Sequence, residues 1–237
     1  MNVIEHWAQT ASPAVIFDFN GTLSDDEPIL FDIFSELFRT HLGWTMTEQD
    51  YRAELLGKSD REIISHAHAR HGRPDAPSVD DLLTLRHGRY KDRVADHNPI
   101  TEAAVALVEL LVSEDIPVAI VTGAQRDDVL AVLEHSPVGP WIPILIAEED
   151  VAQGKPHPEG YLTAAGLLQR NPGDILVFED SVPGVLAARA AGMPCVAVSS
   201  DPSPQLREIA PTIVTALSPE LVAQALARRA GRHDDAG

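Results

Sequence analysis

A single cysteine stands in the whole chain, so no disulfide can form within it, and a reducing compartment suits such a sequence. That residue, Cys195, lies in the apolar run Pro194-Cys195-Val196-Ala197-Val198 and reads as a small buried hydrophobe, not a nucleophile. Positive charge is also scarce. Eighteen Lys and Arg face 36 Asp and Glu, for a formal net charge of -18. That imbalance argues against nucleic acid or an anionic membrane as a main partner. A small phosphate could still bind through local donors or a metal that outweigh the global field. No apolar run approaches the ~18 residues that a membrane span requires. Met1-Asn2-Val3-Ile4-Glu5 lacks a basic segment leading into a long apolar core, so no secretory signal is expected. The composition thus points to a cytoplasmic protein without nucleic-acid or membrane partners; a monomer or weak dimer is the expected state.

What is present is a core and an alternation. With 237 residues and 44% hydrophobic content, the chain can form one large domain or a core with an insertion. A short N-terminal arm, open to a helical reading, ends at Ser12-Pro13. Ala14-Val15-Ile16-Phe17 then reads as a buried strand that stops abruptly at Asp18. Ser24-Asp25-Asp26-Glu27-Pro28 is an acidic, proline-containing helix start, and Ile29, Leu30, Ile33, Phe34, Leu37 and Phe38 follow at helical spacing. Capped helix starts recur at Thr47, Ser59 and Ser78, with no β-branched alternating run. The segment 27–96 is therefore expected to be an all-helical insertion of about 70 residues, enough to bury a small core of its own.

Beyond Pro99 helical and strand patterns alternate. Strands are predicted at Pro117–Val121, Ile144–Ile146, Asp174–Phe178, Pro194–Val198 and Thr212–Val214. Helices are predicted from Thr101 and over Asp127–Leu133, Glu159–Leu168, Val185–Ala191 and Pro219–Arg229, with a frayed tail over 228–237. The expected fold is α/β, a doubly wound Rossmann-like parallel sheet made by 1–26 and 97–237, with the helical cap inserted between them.

The chemistry gathers after the strands. The first ends in Asp18-Phe19-Asn20, the second in Thr122-Gly123, and the fourth in Glu179-Asp180-Ser181; Gly154-Lys155-Pro156 follows the third. Parallel strands bring these ends to one sheet edge. Carboxylates crowded there would repel unless a cation sat between them, and a hard ion with few carboxylate ligands describes Mg²⁺. Asp18 could then attack phosphorus while Thr122 and Lys155 stabilise the equatorial oxygens. Taken singly, Thr122 is a common cap, Lys155 a common solvated lysine, and Glu179-Asp180 lies where a helix start would. An acid ending a buried strand is harder to explain without a function.

Asp18-Phe19-Asn20-Gly21-Thr22-Leu23, Thr122, Gly154-Lys155-Pro156 and Phe178-Glu179-Asp180-Ser181 resemble the four motifs of the haloacid dehalogenase superfamily. Ser181-Val182-Pro183-Gly184 and Ala187–Met193 resemble its β-phosphoglucomutase and phosphoglycolate phosphatase-like branch. The resemblance implies a phosphatase on a small phosphate monoester, such as a sugar phosphate or phosphoglycolate. It implies Asp18 as nucleophile, and Mg²⁺ held by Asp18, the Asn20 carbonyl and Asp180 with Glu179 assisting. Gly21, Thr22 and Gly123 fall in substrate-facing motifs. Leu56-Gly57-Lys58-Ser59 is similar to the specificity loop of this cap type, with Gly57 and Lys58 toward the substrate. Asn20 is the departure, because the family places there an Asp that protonates the leaving oxygen and later activates water. Substrates with good leaving groups, a neighbouring acid (Asp25, Asp26 or Glu27) or an introduced substitution would each account for it. A phosphosugar mutase, a phosphonatase using Lys58 as a Schiff base and a non-catalytic phosphate-binding protein are the alternatives. His66, His68 and His71 do not share one helix face and are not expected to bind metal.

Overall fold

The computed structural model describes residues 2–55 and 58–234. Six parallel strands form one sheet: β1 (Ala14–Phe17), β2 (Val118–Val121), β3 (Ile144–Ile146), β4 (Ile175–Glu179), β5 (Cys195–Val198) and β6 (Ile213–Val214). Their spatial order is β3-β2-β1-β4-β5-β6. Phe17 pairs with Ile120 on one side and with Phe178 on the other, so β1 lies at the centre. The helices are α1 (Val3–Ala8), α2 (Glu27–Leu37), α3 (Glu48–Asp50), α4 (Asp60–His71), α5 (Val79–Asp96), α6 (Glu102–Ser113), α7 (Arg126–Leu133), α8 (Glu159–Leu168), α9 (Val182–Ala190), α10 (Pro204–Ile209) and α11 (Glu220–Asp234). The α/β fold with a parallel sheet is as the alternation indicated.

Strand period two sorts the core. Val15, Phe17, Val118, Ile120, Leu176 and Phe178 face one apolar cluster; Ala14, Ile16, Ala119, Val121, Ile175 and Val177 face the other. Every strand residue of β1, β2 and β4 is buried, as expected of a sheet covered on both faces. Cys195 is buried in the second cluster, and desolvation pushes its thiol above the ordinary range. The first cluster continues without a break into Leu30, Phe34, Ile63, Leu82 and Tyr90 of α2, α4 and α5. The inserted helices therefore share the sheet's core and do not close a separate one.

Caps fix the inserted helices. Thr47, Ser59 and Ser78 each accept the backbone N–H three residues on, and Asp50, Glu62 and Asp81 return the bond. The C-terminal helix runs past the boundary the sequence suggested, to Asp234. Arg228 reaches Glu5 at 2.6 Å, and Arg229 donates to the carbonyls of Ala8 and Thr10, so this stretch is tied to the N-terminal arm. No described helix is long and apolar enough to cross a membrane.

Candidate active site

The strand order reverses between β1 and β4. In open parallel sheets this switch point opens a crevice at the carboxyl edge. Asp18 follows β1 and Glu179 closes β4, so both carboxylates arise beside that crevice. The Asp18 N–H donates to the Phe178 carbonyl at 2.9 Å, which fixes the acid against its neighbour strand. Beneath it, the rings of Phe17 and Phe178 stack with centroids 5.4 Å apart.

Lys155 joins the two acids. Its Nζ lies 2.5 Å from both Asp18 Oδ1 and Glu179 Oε1. The loop carrying it is held by Glu159 of α8, whose carboxylate accepts from the Ala152 and Gln153 N–H groups at 2.9 and 3.0 Å. Burial works against the Lys155 ammonium, but Asp18 and Glu179 outweigh it and raise its pKa above the lysine norm.

Glu179 is fully buried and fully engaged. Oε1 accepts from Lys155 and from Tyr161 Oη at 3.2 Å; Oε2 accepts the Ser181 N–H and hydroxyl at 2.8 and 2.9 Å. Ser181 in turn caps α9 by accepting the Gly184 N–H at 3.1 Å. Gly184 is glycine for a spatial reason, because a Cβ there would fall 1.6 Å from Glu179 Oε1. The backbone thus closes over the carboxylate.

Asp18, Glu179 and Asp180 offer carboxylate oxygens within 4.8 Å of one another. Burial and the Glu179 charge raise the pKa of Asp18 to about 7 against the opposing pull of Lys155. Burial, Glu179, Asp18 and Glu27 push Asp180 well above the carboxylate range. Three acids share one ammonium, so a divalent cation would relieve the excess charge. Asp180 accepts no hydrogen bond from the described residues, and neither does the Asn20 carbonyl. Asp18, Asp180 and that carbonyl therefore form an all-oxygen set that fits Mg²⁺. Glu179, with its lone pairs occupied, sits behind the set as the group that holds Lys155.

The turn after Asp18 serves this cluster. Gly21 adopts φ +74°, and a Cβ there would meet Asp180 Oδ2 at 2.5 Å, so only glycine leaves room for the acid. The Gly21 N–H donates to the Ser24 carbonyl at 2.8 Å and the Ser24 N–H to Phe19 at 2.9 Å, folding the chain back. This return brings Asp26 to Asn20, whose Nδ2 donates to Asp26 Oδ2 at 2.6 Å. Tyr90 of α5 donates to the same oxygen. Asp26 is fully buried, and desolvation raises it to about 6 despite these two donors.

A cavity of about 1150 Å³ opens over these groups. Asp18, Asn20, Thr122, Gly123, Lys155 and Asp180 line its floor, and Glu27, Tyr51, Arg52, Lys58 and Asp60 line it from the helical insertion. Thr122 Oγ1 accepts the Ala124 N–H at 3.0 Å, which leaves its own proton to donate. Gly21 and Thr22 do not line the cavity; Thr22 is buried, and among the described residues its hydroxyl has no hydrogen-bond partner. Gly57 lies outside the described residues. The three histidines are engaged separately: His66 with Glu54, His68 with the Pro77 carbonyl, and His71 stacked on Trp44. The sequence did not point to Tyr161, Tyr90 or Tyr51 as supports of the acids. Each acts across 18 or more residues, and nothing local marks a tyrosine as a long-range donor.

Residues 15–198 match the profile of the family described as haloacid dehalogenase-like hydrolase. The chain belongs to that family. This hydrolase is 31% identical over 194 residues to protein CbbY of Rhodobacter capsulatus, covering 79% of this chain and 86% of the relative. It is likewise 31% identical over 196 residues to hexitol phosphatase A of Escherichia coli, covering 82% and 87%. The crystal structure of CbbY from Rhodobacter sphaeroides in complex with phosphate superposes with a TM-score of 0.76 at 25% identity, covering 91% of this chain and 99% of that one. The resemblance carried by the four motifs and by the Ser181–Met193 segment thus holds for the family and for its β-phosphoglucomutase/phosphoglycolate phosphatase-like branch.

Proposed function

We propose that this hydrolase is a Mg²⁺-dependent phosphatase acting on a small phosphate monoester, of the sugar phosphate or phosphoglycolate kind, through an aspartyl-phosphate on Asp18. The observation that carries the reading is Asp18 itself. One of its oxygens is held by Lys155 at 2.5 Å, while the side chain lines a cavity large enough for a metabolite. The likeness to a hexitol phosphatase supports a phosphorylated metabolite as substrate.

In this reading Asp18 attacks phosphorus and the ester oxygen departs; water then attacks the acyl phosphate and releases inorganic phosphate. The Thr122 hydroxyl, the Gly123 N–H and Lys155 would hold the phosphoryl oxygens as charge moves. Mg²⁺, when bound by Asp18, Asp180 and the Asn20 carbonyl, supplies neutralisation of the phosphoryl charge. Glu179 would position Lys155, and Gly21 and Gly184 would leave space for Asp180 and Glu179 respectively. Segment 27–96 would act as the cap over a core of 1–26 and 97–237, with Lys58 at its mouth as a partner for the distal part of the substrate.

Phosphate release from p-nitrophenyl phosphate and acetyl phosphate tests the reading. Turnover should require Mg²⁺, stop with EDTA, and vanish in Asp18→Ala. Activity that survives Asp18→Ala would remove Asp18 as nucleophile. A folded wild-type protein without turnover on either substrate would favour the phosphate-binding alternative.

A further inference from the structure

An amide at position 20 leaves the proton transfers of such a reaction without an owner, and the surroundings of Asn20 narrow the field. Three acids follow it closely. Asp25 is exposed and does not line the cavity. Asp26 is buried, and one of its oxygens already receives Asn20 and Tyr90. Glu27 is next in the chain. Because Asp26 is bonded to Asn20 at 2.6 Å, the Glu27 backbone starts within one residue of the amide. Its half-buried side chain lines the same cavity as Asp18 and Asn20. Tyr51 donates to Glu27 Oε2 at 3.1 Å, and among the described residues no donor reaches Oε1.

The other acids of the helical insertion and the rim are less suited. Asp60 lies 2.9 Å from Arg86 Nε, Glu62 closes the Ser59 capping box, and Glu148 is exposed. We infer that Glu27 is the acid–base residue of this site, replacing the carboxylate absent at position 20. The inference rests on the phosphatase reading above. As Asp18 bonds to phosphorus and the ester P–O bond breaks, the Glu27 carboxylic acid gives its proton to the departing alkoxide. The Glu27 carboxylate then takes a proton from the water that attacks phosphorus, the P–O bond to Asp18 breaks, and both acids return to their starting states. Asn20, with its amide N–H committed to Asp26, offers its Oδ1 as an acceptor that orients the departing alcohol or the attacking water.

The setting of Glu27 gives this role a pH signature. Burial raises its pKa to about 7, helped by the charges of Asp26 and Asp60 and opposed by the Tyr51 hydrogen bond and by Arg52. Asp180, after β4, is the further charged group that senses it. The acid form is lost as pH rises through about 7, so phosphorylation of Asp18 by an alkyl phosphate should slow above that pH.

Single-turnover phosphorylation by glycerol 3-phosphate and by acetyl phosphate, followed from about pH 5 to pH 9, tests this. Glu27→Gln should slow phosphorylation by glycerol 3-phosphate roughly 10²-fold or more and by acetyl phosphate less than about tenfold, since only the former needs a proton on its leaving group. The alkaline limb near pH 7 should disappear, while an acidic limb set by ionisation of the Asp18 nucleophile stays. Tyr51→Phe, which keeps the acid and removes a bond that lowers its pKa, should move the limb to higher pH. An equal loss with both donors, or an alkaline limb that persists in Glu27→Gln, overturns the inference and leaves the phosphatase reading intact. A wild-type protein phosphorylated by neither donor overturns both.

Discussion

Replacing Asn20 by Asp probes the electrostatic design of the site most sharply. The amide nitrogen donates to Asp26 Oδ2 at 2.6 Å, so Asn20→Asp sets a second carboxylate against a buried one. Two unit charges about 4 Å apart repel by about 4 kcal/mol at an effective dielectric of about 20, and closer ones by more. At about 1.4 kcal/mol per pKa unit, the pair would keep one proton near neutral pH. The substitution therefore creates a carboxylic acid at the cavity wall, its proton shared with Asp26 in place of the amide hydrogen bond. General acid help is worth about 10²–10⁴ in rate, and because Glu27 already supplies part of it, the gain should fall toward the lower end. Initial rates of phosphate release with Mg²⁺ should rise about 10²-fold for glycerol 3-phosphate and less than about tenfold for acetyl phosphate. Equal gains on both esters would show that the variant changed binding, not proton transfer. A folded variant with no gain on the alkyl ester would refute the reasoning.

Three further outcomes follow from the same geometry. Gly21→Ala forces a Cβ to 2.5 Å from Asp180 Oδ2 at φ +74°, so Mg²⁺ affinity by calorimetric titration should fall about 10–100-fold; unchanged affinity would detach Asp180 from the metal. Asp128→Asn removes the buried partner that α7 offers to Arg86 and His87 of α5, which should cost about 3 kcal/mol and lower Tm by about 6–12 °C, whereas a shift under about 3 °C would make the pairing marginal. Asp18 and Glu27 titrate near 7 and Asp26 near 6, all raised, so without metal the native state binds more protons than the unfolded chain between about pH 4 and pH 7. Metal-free Tm should accordingly fall as pH rises through that window, and added Mg²⁺ should raise it most at the alkaline end; stability that grows with pH in the absence of metal would contradict these shifts.

Much of the scaffold was legible because it is written locally. Four-residue apolar runs bounded by Gly, Pro and acids marked the strands, and Ser or Thr followed three residues on by Asp or Glu marked helix starts. The acids that end β1 and β4 stood out because charge in a buried strand is costly. What stayed hidden is non-local. Tyr161 on Glu179, Tyr90 on Asp26 and Arg86 between Asp60 and Asp128 pair residues that only the fold brings together. The placement of Thr22 away from the cavity was hidden for a related reason: it falls in the tight Phe19–Ser24 turn, and only the fold shows that it is buried there. Likewise α10 went unread because Pro204 to Ile209 is too short to show a helical period, while Ser203 caps it at the Leu206 N–H.

The central claim is that Asp18 receives the phosphoryl group. Wild-type protein mixed with acetyl phosphate and Mg²⁺, quenched in acid and digested, can be read by mass spectrometry over the peptide that holds Asp18 to Leu23. The account predicts a phosphoryl mass increment on Asp18, removed by hydroxylamine and missing in Asp18→Asn. A phosphoryl group on any other residue, or turnover by Asp18→Asn at the wild-type rate, would contradict it.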